Sequence, residues 1–159
     1  MNYLIVLLIS VFSCNTKAPP TQFSEAALND TFITLEGNPI LFKDILDANK
    51  GKTLVVEVWA SWCGDCIKGM SKVKKLQDKY PDAKYVFLSL DKTQDAWQRG
   101  IKKYNIEGDH YFVQSGWKGA FCEFLDLDWI PRYMVVDKTG TIKLFKAVKA
   151  DDKRIKDYL

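Results

Sequence analysis

Trp62-Cys63-Gly64-Asp65-Cys66 follows the apolar run Leu54-Val55-Val56-Glu57-Val58-Trp59-Ala60 and opens a stretch with helical periodicity. Two cysteines at C-x-x-C spacing, where a buried strand gives way to a helix, point to a redox pair. The first turn of a helix carries N–H groups without intrahelical partners and the positive end of the macrodipole. Both stabilise a thiolate, the reactive form of cysteine. A second thiol three positions on can reach a mixed disulfide formed by the first.

Outward from this motif the pattern is that of one α/β domain. The helix is expected to run to about Tyr80 and to stop before Pro81. Ile67, Met70, Val73, Leu76 and Tyr80 share its apolar face, and Lys68, Lys72, Lys75 and Lys79 lie opposite as a solvated stripe. Gly69 is a weak point that permits a bend. Upstream, Phe32 to Leu35 and Ile40 to Phe42 flank the turn Glu36-Gly37-Asn38-Pro39, and Asp44 to Asn49 form a helical turn. Downstream, Lys84 to Leu90 read as a buried strand, Asp95 to Tyr104 as a helix, His110 to Val113 as a short strand and Trp117 to Leu125 as a helix. Arg132 to Asp137 and Thr141 to Ala147 pair around Lys138-Thr139-Gly140, and Asp151-Asp152 cap a last helix. Parallel strands need crossover helices, which cover both sheet faces.

The chain has 159 residues, of which 47% are hydrophobic, enough for one domain with a core. A net charge of +3 without a basic motif gives no basis for nucleic-acid binding. Tyr3 to Phe12 is apolar but shorter than the roughly 20 residues that span a bilayer. It fits the core of a signal peptide over residues 1–13. Val11-Phe12-Ser13-Cys14 resembles the bacterial lipoprotein signal, whose cysteine is lipidated, although no Lys or Arg precedes the run and Phe12 is large. Residues 14–24, with Pro19-Pro20, then read as a tether from a lipid-anchored Cys14 to a domain over residues 25–159. The expected location is a bacterial envelope membrane, facing the periplasm or the exterior. Thiols there tend to be oxidised, so a partner must keep the pair in its working state.

The assembled features resemble the thioredoxin superfamily, and within it the TlpA/ResA-like membrane-anchored thiol-disulfide oxidoreductases. The resemblance is carried by the strand leading into Trp-Cys-x-x-Cys and by the N-terminal hairpin with Phe32, Leu35, Gly37 and Leu41. The inserted segment from Asp91 to Trp129 and Ile130-Pro131 before the strand from Arg132 complete it. It implies a thioredoxin-like fold with a central mixed β-sheet flanked by helices. It implies that Cys63 attacks, that Cys66 resolves, and that the two form the redox disulfide. Pro131 would be a cis-proline facing it, with Ile130 and Trp62 contacting substrate. Glu57 stands where the family carries a buried acid, usually Asp; burial raises a carboxyl pKa, which fits it to take the proton of Cys66. Alternation along the strand does not decide which face Glu57 takes. Asp65 departs from the Pro of thioredoxin, and with Gly64 it tunes the pair. Its negative charge competes with the thiolate for the helix end, so it is expected to raise the Cys63 pKa and favour a reductant. Protein disulfides would be the substrates and an upstream thiol the electron donor. A monomer without cofactor or metal is expected.

Two alternatives stay open at the level of sequence: a redox-inactive binding module on the same fold, and a copper-delivery protein using Cys63, Cys66 and His110, the only histidine. A structural zinc site wants four ligands. Cys122, in Ala120-Phe121-Cys122-Glu123-Phe124, reads as a small buried hydrophobe, and Trp117 with the aromatic residues Tyr111, Phe112, Phe121, Phe124 and Trp129 reads mostly as core, with a rim of the site that selects partners as the other reading.

Overall fold

The computed structural model describes residues 18–159, so the expected signal peptide and Cys14 lie outside the described residues. The strands are β1 (Thr31–Ile33), β2 (Pro39–Leu41), β3 (Leu54–Trp59), β4 (Lys84–Ser89), β5 (Asp109–Val113), β6 (Arg132–Val136) and β7 (Ile142–Ala147). The helices are α1 (Glu25–Leu28), α2 (Phe42–Ala48), α3 (Gly64–Lys79), α4 (Gln94–Tyr104), α5 (Ala120–Phe124) and α6 (Lys153–Lys156). Among the described residues the strands form one sheet in the order β2-β1-β5-β4-β3-β6-β7. β3, β4 and β5 are parallel neighbours, and the other pairings are antiparallel. A central strand buried on both faces needs an unbroken apolar run, and every residue of β3 is buried.

Strand register assigns the helices to faces. Glu57 is opposite Tyr133 on β6 and Phe87 on β4, and Phe87 is opposite His110 on β5, so these four share one face. On that face Gly69 of α3 lies over the Tyr133 hydroxyl, and Trp97 of α4 packs on Phe112 with ring centres 5.8 Å apart. The other face carries Phe32, packed with Phe42 of α2 and Phe121 of α5 at 5.6 and 5.4 Å. Phe23 joins that cluster, 4.8 Å from Phe42, and the Thr21 carbonyl accepts the Ile142 N–H at 2.8 Å. The packed fold thus already includes residues upstream of residue 25.

Three elements differ from the local pattern. α1 has no apolar periodicity to announce it; it is one turn capped by Ser24, whose hydroxyl accepts the Ala27 N–H at 3.2 Å. Phe42 starts α2 instead of ending β2, because ladder pairing stops at Thr31 opposite Leu41 and the Phe42 ring turns into the aromatic cluster. The expected helix from Trp117 to Leu125 is split into a 3-10 turn (Gly116–Lys118) and α5. Gly119 divides them in an extended conformation, and a Cβ there would meet the Ser115 Cβ at 2.4 Å. The buried Asp30 carboxylate fixes this break by accepting from Ser115 Oγ and Phe121 N, both at 2.9 Å.

Candidate active site

Cys63 is the N-cap of α3 and Cys66 lies in its first turn. The two sulfurs are joined in a disulfide, with Cα atoms 5.3 Å apart. Cys63 Sγ accepts the Cys66 N–H at 3.1 Å, so one otherwise unpaired donor of the helix start points at the sulfur where a thiolate would form. Cys66 is fully buried, whereas Cys63 keeps 6% exposure, so only Cys63 can meet an outside disulfide. The Ile130 carbonyl oxygen lies 3.6 Å from Cys63 Sγ, and the Ile130-Pro131 peptide bond is cis. Trp62 and Trp129 stand exposed beside this surface, while Trp59 is fully buried. Gly64 and Asp65 are exposed on the first turn, and Asp65 pairs with exposed Lys68 at 3.6 Å.

Glu57 is buried beneath α3, with neither carboxylate oxygen hydrogen-bonded. Burial pushes its pKa up to about 8; the nearby Tyr133 hydroxyl works against that shift without reaching hydrogen-bond geometry. At neutral pH the group is therefore mostly protonated and close to exchanging its proton.

Two supports of the site carry no motif that announces them. Asp91 is buried, and its carboxylate accepts from Ser61 N at 3.0 Å, Ser61 Oγ at 2.6 Å and Ser89 Oγ at 2.9 Å. This fastens the turn that presents Trp62 and Cys63. Arg132, directly after Pro131, is wholly buried and donates to the Leu125 carbonyl and to Asp128, both at 2.8 Å. It ties the end of the inserted segment to β6. A charged residue at the start of an otherwise apolar strand was the available signal for Arg132.

Other candidates sit apart. His110 is buried on β5, stacked on Phe87 at 5.1 Å, with Nε2 2.9 Å from the Ile106 carbonyl oxygen. Phe87 separates it from Glu57, and no cluster of three potential metal ligands occurs among the described residues, so the copper arrangement of Cys63, Cys66 and His110 is not formed. Cys122 is 1% exposed, and burial pushes its thiol up to about 12, which leaves it unreactive. Phe121 and Phe112 are core and Tyr111 and Phe124 are half-buried, but Trp117 is exposed on the 3-10 turn rather than core, and Trp129 is 62% exposed beside Pro131 on the surface around the site.

The sequence profile of the Redoxin family matches residues 15–159. The chain belongs to the Redoxin family. It is 26% identical over 148 residues to the thiol-disulfide oxidoreductase ResA of Bacillus thuringiensis subsp. konkukian, covering 91% of this chain and 80% of that protein. It is 31% identical over 125 residues to ResA of Bacillus cereus (76% and 67% covered). Over 117 residues it is 29% identical to the thiol-disulfide oxidoreductase YkuV of Bacillus subtilis (68% and 78% covered). A thiol:disulfide interchange protein from Bacteroides sp. has the same fold, with a TM-score of 0.69 at 21% identity over 87% of each chain. This Redoxin-family chain is a thiol-disulfide oxidoreductase with a thioredoxin-like fold.

Proposed function

We propose that the protein is a reductase of disulfides in bacterial envelope proteins, held at a membrane by lipid on Cys14 after removal of residues 1–13. The reading rests on one observation above the rest: a slightly exposed Cys63 caps a 16-residue helix, faces the cis Ile130-Pro131 bond, and is bonded to a fully buried Cys66. The Cys63 thiolate attacks a substrate disulfide; its electron pair forms the mixed disulfide and the first substrate sulfur leaves as a thiolate. Glu57, once it has lost its own proton, takes that of Cys66, and Cys66 attacks Cys63 Sγ. The Cys63–Cys66 bond closes and the second substrate sulfur departs with its electron pair. An upstream thiol donor returns the pair to the reduced state. Trp62, Ile130 and Pro131 supply the flat and backbone contacts for the extended substrate segment around its cysteine. Gly64 leaves the first helical turn open to the substrate, and Asp65 weakens the thiolate and favours the reducing direction. The domain acts as a monomer on protein substrates. The amino-terminal apolar run supports the anchor; among the described residues no helix is long and apolar enough to cross a membrane.

Insulin reduction by the purified domain, with Cys63→Ser as control, tests the chemistry. Cys66→Ser expressed in the envelope should accumulate a mixed disulfide on Cys63 that identifies the client. A wild-type protein no faster than the Cys63→Ser control would remove the reductase reading and leave the binding-module alternative.

A further inference from the structure

Beside the cis Ile130-Pro131 bond lies an open cleft of about 580 Å³, lined by Pro131, Tyr133, Gly69, Trp129 and the rim lysines Lys72 and Lys149. Tyr133 enters it from below. The same residue is the cross-strand partner of Glu57, and both side chains lie on the sheet face covered by α3. Neither the Tyr133 hydroxyl nor either Glu57 oxygen has a hydrogen-bond partner, an uncommon state for three buried polar atoms in one place. A Cβ on residue 69 would sit 3.2 Å from the Tyr133 hydroxyl, a tight contact that glycine avoids.

These positions solve a problem that the reductase cycle creates. Glu57, sealed under α3, is mostly protonated at neutral pH, yet only its carboxylate can take the Cys66 proton. The carboxyl must therefore lose its own proton before Cys66 can attack. On its other side lies Phe87, which carries no exchangeable proton, and beyond it His110. On the α3 side are the buried Cys66, whose proton Glu57 is to take, and the bare Gly69. β7 places Ala147 opposite Tyr133 and brings no titratable group there, while Lys72 and Asp151 pair with each other at 2.7 Å at the cleft side. Among the described residues Tyr133 is the one that both pairs with Glu57 across the strands and lines the cleft, and its hydroxyl can accept a proton while donating its own.

We propose that Tyr133 relays the proton between Glu57 and solvent in the cleft, and that residue 69 is glycine to keep that passage open. Tyr133 is a positioning residue that acts through Glu57 and touches neither sulfur. The step balances: Glu57 loses a proton, water in the cleft gains one, and the phenol ends unchanged. The inference rests on the proposed role of Glu57 in the reductase cycle, and its test reads the two apart.

Reduced protein is mixed with Ellman's reagent, and the two releases of thionitrobenzoate separate attack by Cys63 from resolution by Cys66. Tyr133→Phe should leave the first release unchanged. It should slow the second about tenfold, part of the roughly hundredfold typical of a positioned acid–base group, and move its pH profile upward. On a Glu57→Gln background the same change should add nothing. In oxidised protein, where no turnover occurs, carbon-13 titration of Glu57 should show a higher midpoint in Tyr133→Phe. A second release at the wild-type rate, an effect that adds fully to Glu57→Gln, or an unmoved Glu57 midpoint each overturns the relay. If Tyr133→Phe does not fold, Gly69→Ala decides: it keeps both groups and presses on the hydroxyl, so it should slow the second release alone, and an unchanged second release overturns the proposal. Loss of insulin reduction in the wild type would instead strike the reductase reading and leave the Glu57 titration to be judged by itself.

Discussion

At the scale of single residues, two carboxylates near one disulfide have opposite surroundings. Glu57 is buried and raised to about 8; Asp65 is exposed at the positive end of α3. Folding raises the Glu57 pKa from its ordinary 4.5, so its contribution to stability is fully present below about pH 4.5 and is lost as pH rises through about 8. Between those limits the loss approaches roughly 5 kcal/mol. Glu57→Gln should therefore be more stable than wild type at pH 9 and close to it at pH 4. Urea midpoints across that range check this, and parallel curves for the two proteins would rule out burial as the cause. For Asp65, removing the charge should stabilise the thiolate, although Lys68 at 3.6 Å already offsets part of the field. Thiol titration of Cys63 in Asp65→Asn should give a lower midpoint than wild type, by a few tenths of a unit at this exposed site. An equal or higher midpoint would contradict the assigned tuning role.

At the scale of elements, the active turn is held from behind. β3 delivers Ser61 to the end of β4, where Asp91 takes three hydrogen bonds from Ser61 and Ser89. α4 closes on the same point, with Gly100 so near that a Cβ would stand 2.4 Å from that of Ser61. Asp91→Ala leaves a backbone N–H and two hydroxyls without their acceptor, at a cost of about 2–4 kcal/mol. It should also lower the attack rate of Cys63 in the fraction that remains folded, because the turn bearing the sulfur loses its fixed orientation. Stopped-flow alkylation alongside urea denaturation separates the two effects; a stability loss with unchanged attack would confine Asp91 to the fold. Arg132 serves the opposite wall in a similar way, holding Leu125 and Asp128 so that Ile130 and Pro131 meet Cys63.

At the scale of the whole molecule, the sheet brings together what the chain keeps far apart. β6 runs antiparallel to β3, and this places the residue after the cis bond's neighbour, Tyr133, beside the acid that precedes the cysteines. α3 and α4 cover that face, and the phenylalanine cluster of α2 and α5 secures the other. The disulfide thus lies at the start of α3, with Glu57 on the buried side and the cleft beside it.

The sequence by itself determined the redox pair, the strand before it, the long helix after it and the α/β class. Those signals are local: an apolar run, a 3.6-residue period and a C-x-x-C spacing act between chain neighbours. The tertiary structure decided which way Glu57 faces, because β3 is apolar on both sides and its alternation is silent. Pairing with β6 decided that Tyr133 becomes its neighbour, and packing against Ser115 and Asp30 decided where the helix near Gly119 breaks. It also left Trp129 on the surface, apart from the aromatic residues that resemble it in sequence. Register and burial depend on contacts between distant segments, which no local period records.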